Sequence, residues 1–401
     1  MAASTGLEVA DVVRSFGESF LAEHGESLGR QHRRVLAAIR ACRTAALGGH
    51  LYCCPQCGYE HPVYDSCRNR HCPKCQVLAS ARWVEARAAE LLPVPYFHLV
   101  FTVPRELRPF FRRQPRALYD RLFHAVAETL LEAAADRRHL GARIGLLALL
   151  HTWTQTLLYH PHLHVVAPGG GLTADGARWV GCRPDYFLPV QVLSRLFRGK
   201  LLASIKELYA DGELDCSGTL APLADPRRFT ALLAPLYETG WVVYAKPPFG
   251  GPEQVLSYLA RYIHRIAISN DRLLRLEGDH VVFTWRDRAH GDRRRTMRLH
   301  AHEFLRRFLL HVLPDGFVRI RSYGLLANRN RHERIERCRE ALGAPPGDPP
   351  PPVAETGWVD LLTRLTGRDP TCCPRCREGR LLLVAEIPAA GRGPPPARRA
   401  S

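Results

Sequence analysis

The chain has 401 residues, a formal charge of +17 at pH 7 and 46% hydrophobic residues. That composition excludes a collagen-like or disordered polymer and leaves room for two or three domains. The charge points to a polyanionic partner, nucleic acid before an acidic membrane.

In chain order, residues 7–41 read as helix, with Val12, Phe16, Phe20, Val35, Leu36 and Ile39 at helical spacing. The N-terminal stretch lacks a cationic segment followed by an apolar one, so no signal peptide and a cytoplasmic location are expected. Residues 42–76 are rich in cysteine and histidine, and 77–92 read as a helix ending at Pro93. A short strand is expected at 96–103, and one or two amphipathic helices at 115–138. Two β-like runs follow, 144–155 and 161–167, the second leading into Gly169, Gly170 and Gly171. Helices are expected at 189–209, 226–237, 252–268 and 301–313, with strands at 240–245 and 317–322 and hairpins within 272–299. A proline-rich linker spans 341–357 and a short CxxC-bearing appendage with a disordered tail spans 358–401. The longest apolar run, Ile144 to Leu150, falls far short of the roughly 20 residues of a spanning helix, so no membrane partner is expected. The organisation expected is therefore a helical and zinc-binding domain over 1–92, an α+β catalytic domain over 93–340, the linker and the appendage.

Seven of the thirteen cysteines lie between positions 42 and 75. Without a secretory signal, clustered CxxC pairs favour metal over disulfides. Cys54-Pro-Gln-Cys57 and Cys72-Pro-Lys-Cys75 are two knuckles whose four thiolates suit one closed, tetrahedral structural Zn2+ site. Cys42, His50, Cys67 and His71 are left over as ligands of a second zinc, unless they are only packed beside the first. Arg68, Arg70 and Lys74 around the cluster suit phosphate contacts. Near the C-terminus, Cys373 and Cys376 form half of a zinc ribbon, which could chelate only with partners from elsewhere in the chain.

In His162-Leu163-His164, alternation along a strand puts both imidazoles on one face with Leu163 behind them. If the two runs pair antiparallel, His151 completes a three-histidine site with open positions, as a catalytic metal needs. Farther on, Tyr258 and Tyr262 stand at i and i+4, with Arg261 and Arg265 among the cations around them. On a helix that pattern is ordinarily core packing. Beside a metal and cationic side chains, a phenol could attack a phosphodiester and keep the bond's energy in a phosphotyrosine ester.

Together these stretches resemble the HUH superfamily of single-strand endonucleases, named for two histidines flanking a hydrophobic residue. The closer resemblance is to the rolling-circle insertion-sequence transposases of the "IS ninety-one" family. It rests on the segments 42–58, 66–76, 90–104, 157–172, 258–273 and 323–335, in collinear order. The resemblance implies an HUH-like antiparallel sheet with flanking helices, preceded by a small helical zinc module. It also implies Mg2+ or Mn2+ on the histidines, Tyr258 and Tyr262 as nucleophiles, and a 5′-phosphotyrosine intermediate in rolling-circle transposition. Asn270 and Arg272 match a family motif without an assigned role. The DNA expected is single-stranded or hairpin, because a tyrosine must reach an exposed backbone. Two alternatives stand beside this: a plasmid relaxase or replication initiator of the same chemistry, and a non-catalytic zinc-dependent DNA-binding protein. No phosphate-binding GxxxxGK[ST] loop occurs, which disfavours a fused helicase. Nothing in the sequence indicates an oligomeric state.

Overall fold

A computed structural model describes residues 6–246, 254–255, 266–287, 290–346 and 358–390. The chain divides into two compact units. One contains residues 1–85, 264–312 and 350–401; the other contains 86–263 and 313–349. Both carry antiparallel sheets with flanking helices, the α+β architecture expected.

In the first unit, α1 (Val9–His24) starts at a capping box in which the Glu8 N–H donates to Asp11 Oδ2 over 2.8 Å. It packs on α2 (Arg30–Ala41) and on the helix Ala301–Leu309, with Phe20 buried among them. The single helical stretch expected at 7–41 is thus two helices, broken at a short 3-10 turn over Gly25–Ser27. The hairpin β1 (Gly49–Cys53) and β2 (Glu60–Tyr64) gains a third strand from the C-terminal segment Leu382–Ile387. A second three-stranded sheet spans residues 273–300. Asn270 and Arg272 act here as structural pins. Asn270 Oδ1 accepts the Val9 N–H, and Arg272 Nε donates to the Thr284 carbonyl while its guanidinium lies over Phe283.

The second unit is built on five strands. After α3 (Gln76–Ala88), most of which belongs to the first unit, comes β3 (Tyr96–Thr102), then α4 (Arg108–Arg113), α5 (Pro115–Ala135), β4 (Gly145–Trp153) and β5 (Tyr159–Pro168). The short hairpin β6 (Gly170–Leu172) and β7 (Trp179–Gly181) precedes α6 (Val190–Ala210), α7 (Pro226–Glu238) and β8 (Val243–Lys246). The strand Ile320–Gly324 pairs with β4, so the sheet runs from that strand through β4, β5 and β3 to β8, antiparallel throughout.

Alternation gives the sheet two different faces. Leu146, Ala148 and Leu150 of β4, Leu163 and Val165 of β5, and Phe97, Leu99 and Phe101 of β3 all enter one core. Helix α5 begins at Pro115, well placed in a first turn. It lays Leu118, Leu122, Val126 and Leu130, spaced four apart, onto that face, and α6 adds Leu193, Phe197, Leu201 and Ile205. The opposite face therefore carries the intervening residues, histidines among them. No helix among the described residues is long and apolar enough to cross a membrane.

Candidate metal centres and the histidine face

Two sets of four cysteines converge, and neither is the set expected from spacing. Cys42, Cys67, Cys72 and Cys75 form one group; Cys54, Cys57, Cys373 and Cys376 form the other. The two CxxC pairs of the N-terminal region thus belong to different sites. Cys72 and Cys75, at the start of α3, meet Cys42 at the end of α2, at sulfur separations of 3.7 and 3.4 Å. Cys67 completes that group 3.5 Å from Cys75. Cys54 and Cys57, at the tip of the β1–β2 hairpin, meet the C-terminal knuckle instead, each at 3.7 Å, from Cys376 and Cys373 respectively. A tetrahedron with zinc–sulfur bonds of about 2.3 Å has edges of about 3.8 Å, so both groups fit a structural zinc. A disulfide would need sulfurs about 2 Å apart, and all thirteen cysteines are free. Of the second set expected, Cys42 and Cys67 are ligand-placed. His50 and His71 lie outside both groups, and the His71 N–H donates to Asn69 Oδ1.

The Cys54 and Cys373 knuckles are near copies. In each, the residue after the second cysteine has positive φ and donates its N–H to the first cysteine's carbonyl: Gly58 to Cys54 at 2.8 Å, Arg377 to Cys373 at 2.9 Å. Backbone N–H bonds from Glu378 and Gly379 lower the Cys376 thiol to about 6, favouring the thiolate that a metal needs. Around the other cluster, Lys74 pairs with Glu8 at 2.7 Å, and Arg68 is exposed beside Cys67.

On the sheet of the second unit, the β4–β5 hairpin sets His151 directly opposite His162. A register shift between His151 and Trp153 follows, and the Trp153 ring stacks on His151 with centroids 4.4 Å apart. His162 and His164 share that face, and the three imidazoles offer nitrogens within 4.8 Å of one another. The Nε2 atoms of His162 and His164 stand 3.1 Å apart. Octahedral metal–ligand bonds of about 2.1 Å give an edge of about 3 Å. His151 is buried, while His162 and His164 are half-buried, so the group is reachable from solvent. His162 Nδ1 lies 2.6 Å from the His160 carbonyl, which only accepts; Nδ1 therefore carries a proton, and in the neutral ring Nε2 keeps its lone pair for a metal. Burial, with His162 and Arg108 nearby, pushes His160 itself down to about 3.

The same face holds residues that sequence reasoning passed over. His98 on β3 is buried, with Nε2 2.8 Å from His164 Nδ1. Its signal was present only as a histidine on the face of a strand whose neighbour was unknown. Lys246 is opposite His98 on β8, and Tyr244, two residues before it, is exposed. On the core side of the sheet, Tyr119 and Tyr159 bond through their hydroxyls at 2.7 Å, and burial raises both phenols, which unsuits them as nucleophiles. The glycine triplet lies at the other end of β5 from the histidines. A Cβ on Gly171 would come within 2.2 Å of the Arg143 carbonyl, so close backbone packing explains that glycine. Tyr258, Arg261, Tyr262 and Arg265 lie outside the described residues.

Two family models match this chain: a transposase zinc-binding domain over residues 12–103 and a putative transposase over residues 145–334. The chain is 50% identical over 393 residues to "Putative transposase y4qJ" of Sinorhizobium fredii (strain NBRC 101917 / NGR234), covering 98% of both chains. The chain belongs to the "IS ninety-one" family of HUH transposases. It is also 31% identical to the "Transposase for insertion sequence element IS801" of Pseudomonas savastanoi pv. phaseolicola, over 88% of this chain and 83% of that one. No solved structure matches it. The first cysteine cluster falls within the zinc-binding match, whereas Cys373 and Cys376 lie far beyond it. All three histidines fall within the second match.

Proposed function

We propose that this rolling-circle transposase cuts and rejoins single DNA strands through a covalent 5′-phosphotyrosine, with Tyr258 and Tyr262 as nucleophiles. The observation that carries the reading is the convergence of His151, His162 and His164 on the solvent-reachable face of the sheet. Three imidazoles at this spacing would hold Mg2+ or Mn2+, which supplies charge neutralisation and orientation at the scissile phosphate. In the step, a tyrosine oxygen forms a bond to phosphorus as its phenol loses a proton. The bond from phosphorus to the 3′ oxygen breaks, and that oxygen takes up a proton. The 5′ phosphate stays on the tyrosine, so attack by a 3′ hydroxyl restores the strand and frees the phenol. Two tyrosines would serve two such cleavages. The chain's charge of +17, with Arg68 and Arg70 beside the zinc module and Arg261 and Arg265 beside the tyrosines, would hold DNA ends with salt-sensitive affinity.

The test uses a labelled single-stranded oligonucleotide carrying an element end, with Mg2+ or Mn2+. The expected product is an SDS-resistant covalent adduct that disappears in His162→Ala and in the double change of Tyr258 and Tyr262 to Phe. An adduct that survives the double change overturns the tyrosine assignment. Cleavage without any adduct would mean that water is the nucleophile.

A further inference from the structure

We propose that His98 is a positioning residue for the histidine metal site: it holds His164 in the tautomer that aims a bare Nε2 at the ion. The inference rests on the metal-site reading given above and adds a residue to it.

The two histidines of the HUH motif are treated alike at their outer nitrogens. Each has its Nδ1 within hydrogen-bond distance of a polar partner and its Nε2 turned toward the other. For His162 the partner is the His160 carbonyl, which fixes the proton on Nδ1 without ambiguity. For His164 the partner is the His98 ring. The two rings lie within 7° of parallel with centroids 5.1 Å apart, and the bonded nitrogens are 2.8 Å apart. Adding two ring radii to that nitrogen separation recovers the centroid distance, so the rings are coplanar and edge to edge, not stacked face to face. That is the geometry in which a proton on one nitrogen points into the lone pair of the other.

A ligand nitrogen must be unprotonated. With Nε2 of His164 given to the ion, its Nδ1 carries the proton and donates to Nε2 of His98, which accepts. The reverse arrangement, His98 donating, would put the His164 proton on Nε2, in the position of the ion. His98 is 3% exposed on the β3 strand beside β5, facing Val166 in register and His164 on the diagonal. Its backbone position is therefore set by the sheet and not by a mobile loop. Partners of this kind typically account for a 10–100-fold share of metal affinity.

The test compares wild type, His98→Leu, His98→Gln and His162→Ala, all zinc-loaded and without DNA, by calorimetric titration with Mn2+. Thermal unfolding is run on the same samples. Wild type is expected to bind one Mn2+ that His162→Ala loses. His98→Leu should bind it about 10–100-fold more weakly with little change in unfolding temperature. His98→Gln, whose carboxamide oxygen can accept the same proton, should recover to within a few-fold of wild type. In oligonucleotide cleavage, His98→Leu should need more Mn2+ but approach the wild-type rate at saturation. Unchanged Mn2+ affinity in His98→Leu overturns the inference, as does an equal loss in Leu and Gln variants. If wild type binds no Mn2+, or His162→Ala binds it unchanged, the metal-site reading itself falls and this inference with it.

Discussion

Single atoms decide where a zinc ribbon closes. A Cβ on Gly379 would come within 2.4 Å of the Cys54 sulfur, and a buried thiol in a four-sulfur cluster has nowhere to retreat. Gly379→Ala should therefore lower the zinc content of the purified protein from about two per chain to about one, by elemental analysis; a content of two would show that the cluster tolerates the methyl group. The opposite sign is expected two residues away. Arg377 occupies a positive-φ position, φ 63°, that the matching knuckle gives to Gly58 at φ 68°. An L side chain there costs about 1 kcal/mol, and Arg377 is exposed. Arg377→Gly should raise the free energy of unfolding by about 1 kcal/mol in denaturant titration. At this scale the sequence was readable for residue types and misleading for partners. Every cluster cysteine sits in or beside a recognisable pattern. But one CxxC looks like another, and spacing alone favours joining the two pairs nearest in sequence. His98 was unreadable for a related reason: its role depends on which strand lies beside it.

Strand β5 shows how an element divides its work between two faces. Leu163 is fully buried in the core under α5 and α6, while His162 and His164 on either side of it point the other way. Leu163→Ala should lower the unfolding free energy by about 2–5 kcal/mol, the range for a buried leucine in a packed site. His162→Ala should leave stability within about 1 kcal/mol while removing Mn2+ binding. Chemical denaturation of the two variants separates these roles, and equal destabilisation would mean that the histidine face is itself part of the core. Elements of this kind were legible because their periodicity is strong: β4 and β5 fall within a few residues of the runs read from alternation. The pairing of His151 with His162 needed only the antiparallel hairpin that a short connection permits. What alternation could not supply was the order of the other strands. β3, far upstream, lies beside β5, and the strand Ile320–Gly324, far downstream, lies beside β4, an arrangement set by tertiary packing and not by local pattern.

At the scale of the whole chain, the C-terminal segment is part of the zinc module and not an appendage to it. Leu382–Ile387 pairs along β1 from Gly49 to Cys53, Gln56 donates to Glu378 across the two knuckles, and Cys373 and Cys376 supply half of a cluster. Sequence reading stopped short of this because the two halves are so distant: Cys57 and Cys373 are 316 positions apart. Distance in sequence is a weak energetic obstacle. Even a fully flexible loop of that length would cost only about 5 kcal/mol plus a constant to close, because the penalty grows with the logarithm of length. A structural zinc contributes about 10–16 kcal/mol in small domains near neutral pH, and the folded chain between the halves lowers the closure cost further. The cluster should therefore form in the intact protein and depend on its tail. Ending the chain after Pro346 should leave about one zinc per chain, held by Cys42, Cys67, Cys72 and Cys75, and should expose β1 as a sheet edge. Replacing Cys373 and Cys376 by serine in the full chain should give the same zinc count while keeping the added strand. If both proteins lose one zinc but only the truncated one becomes sensitive to protease within residues 49–64, metal and strand contribute separately to holding the two chain regions together. If the truncated chain still binds two, Cys54 and Cys57 have found other ligands, and the C-terminal knuckle is not required to complete the site.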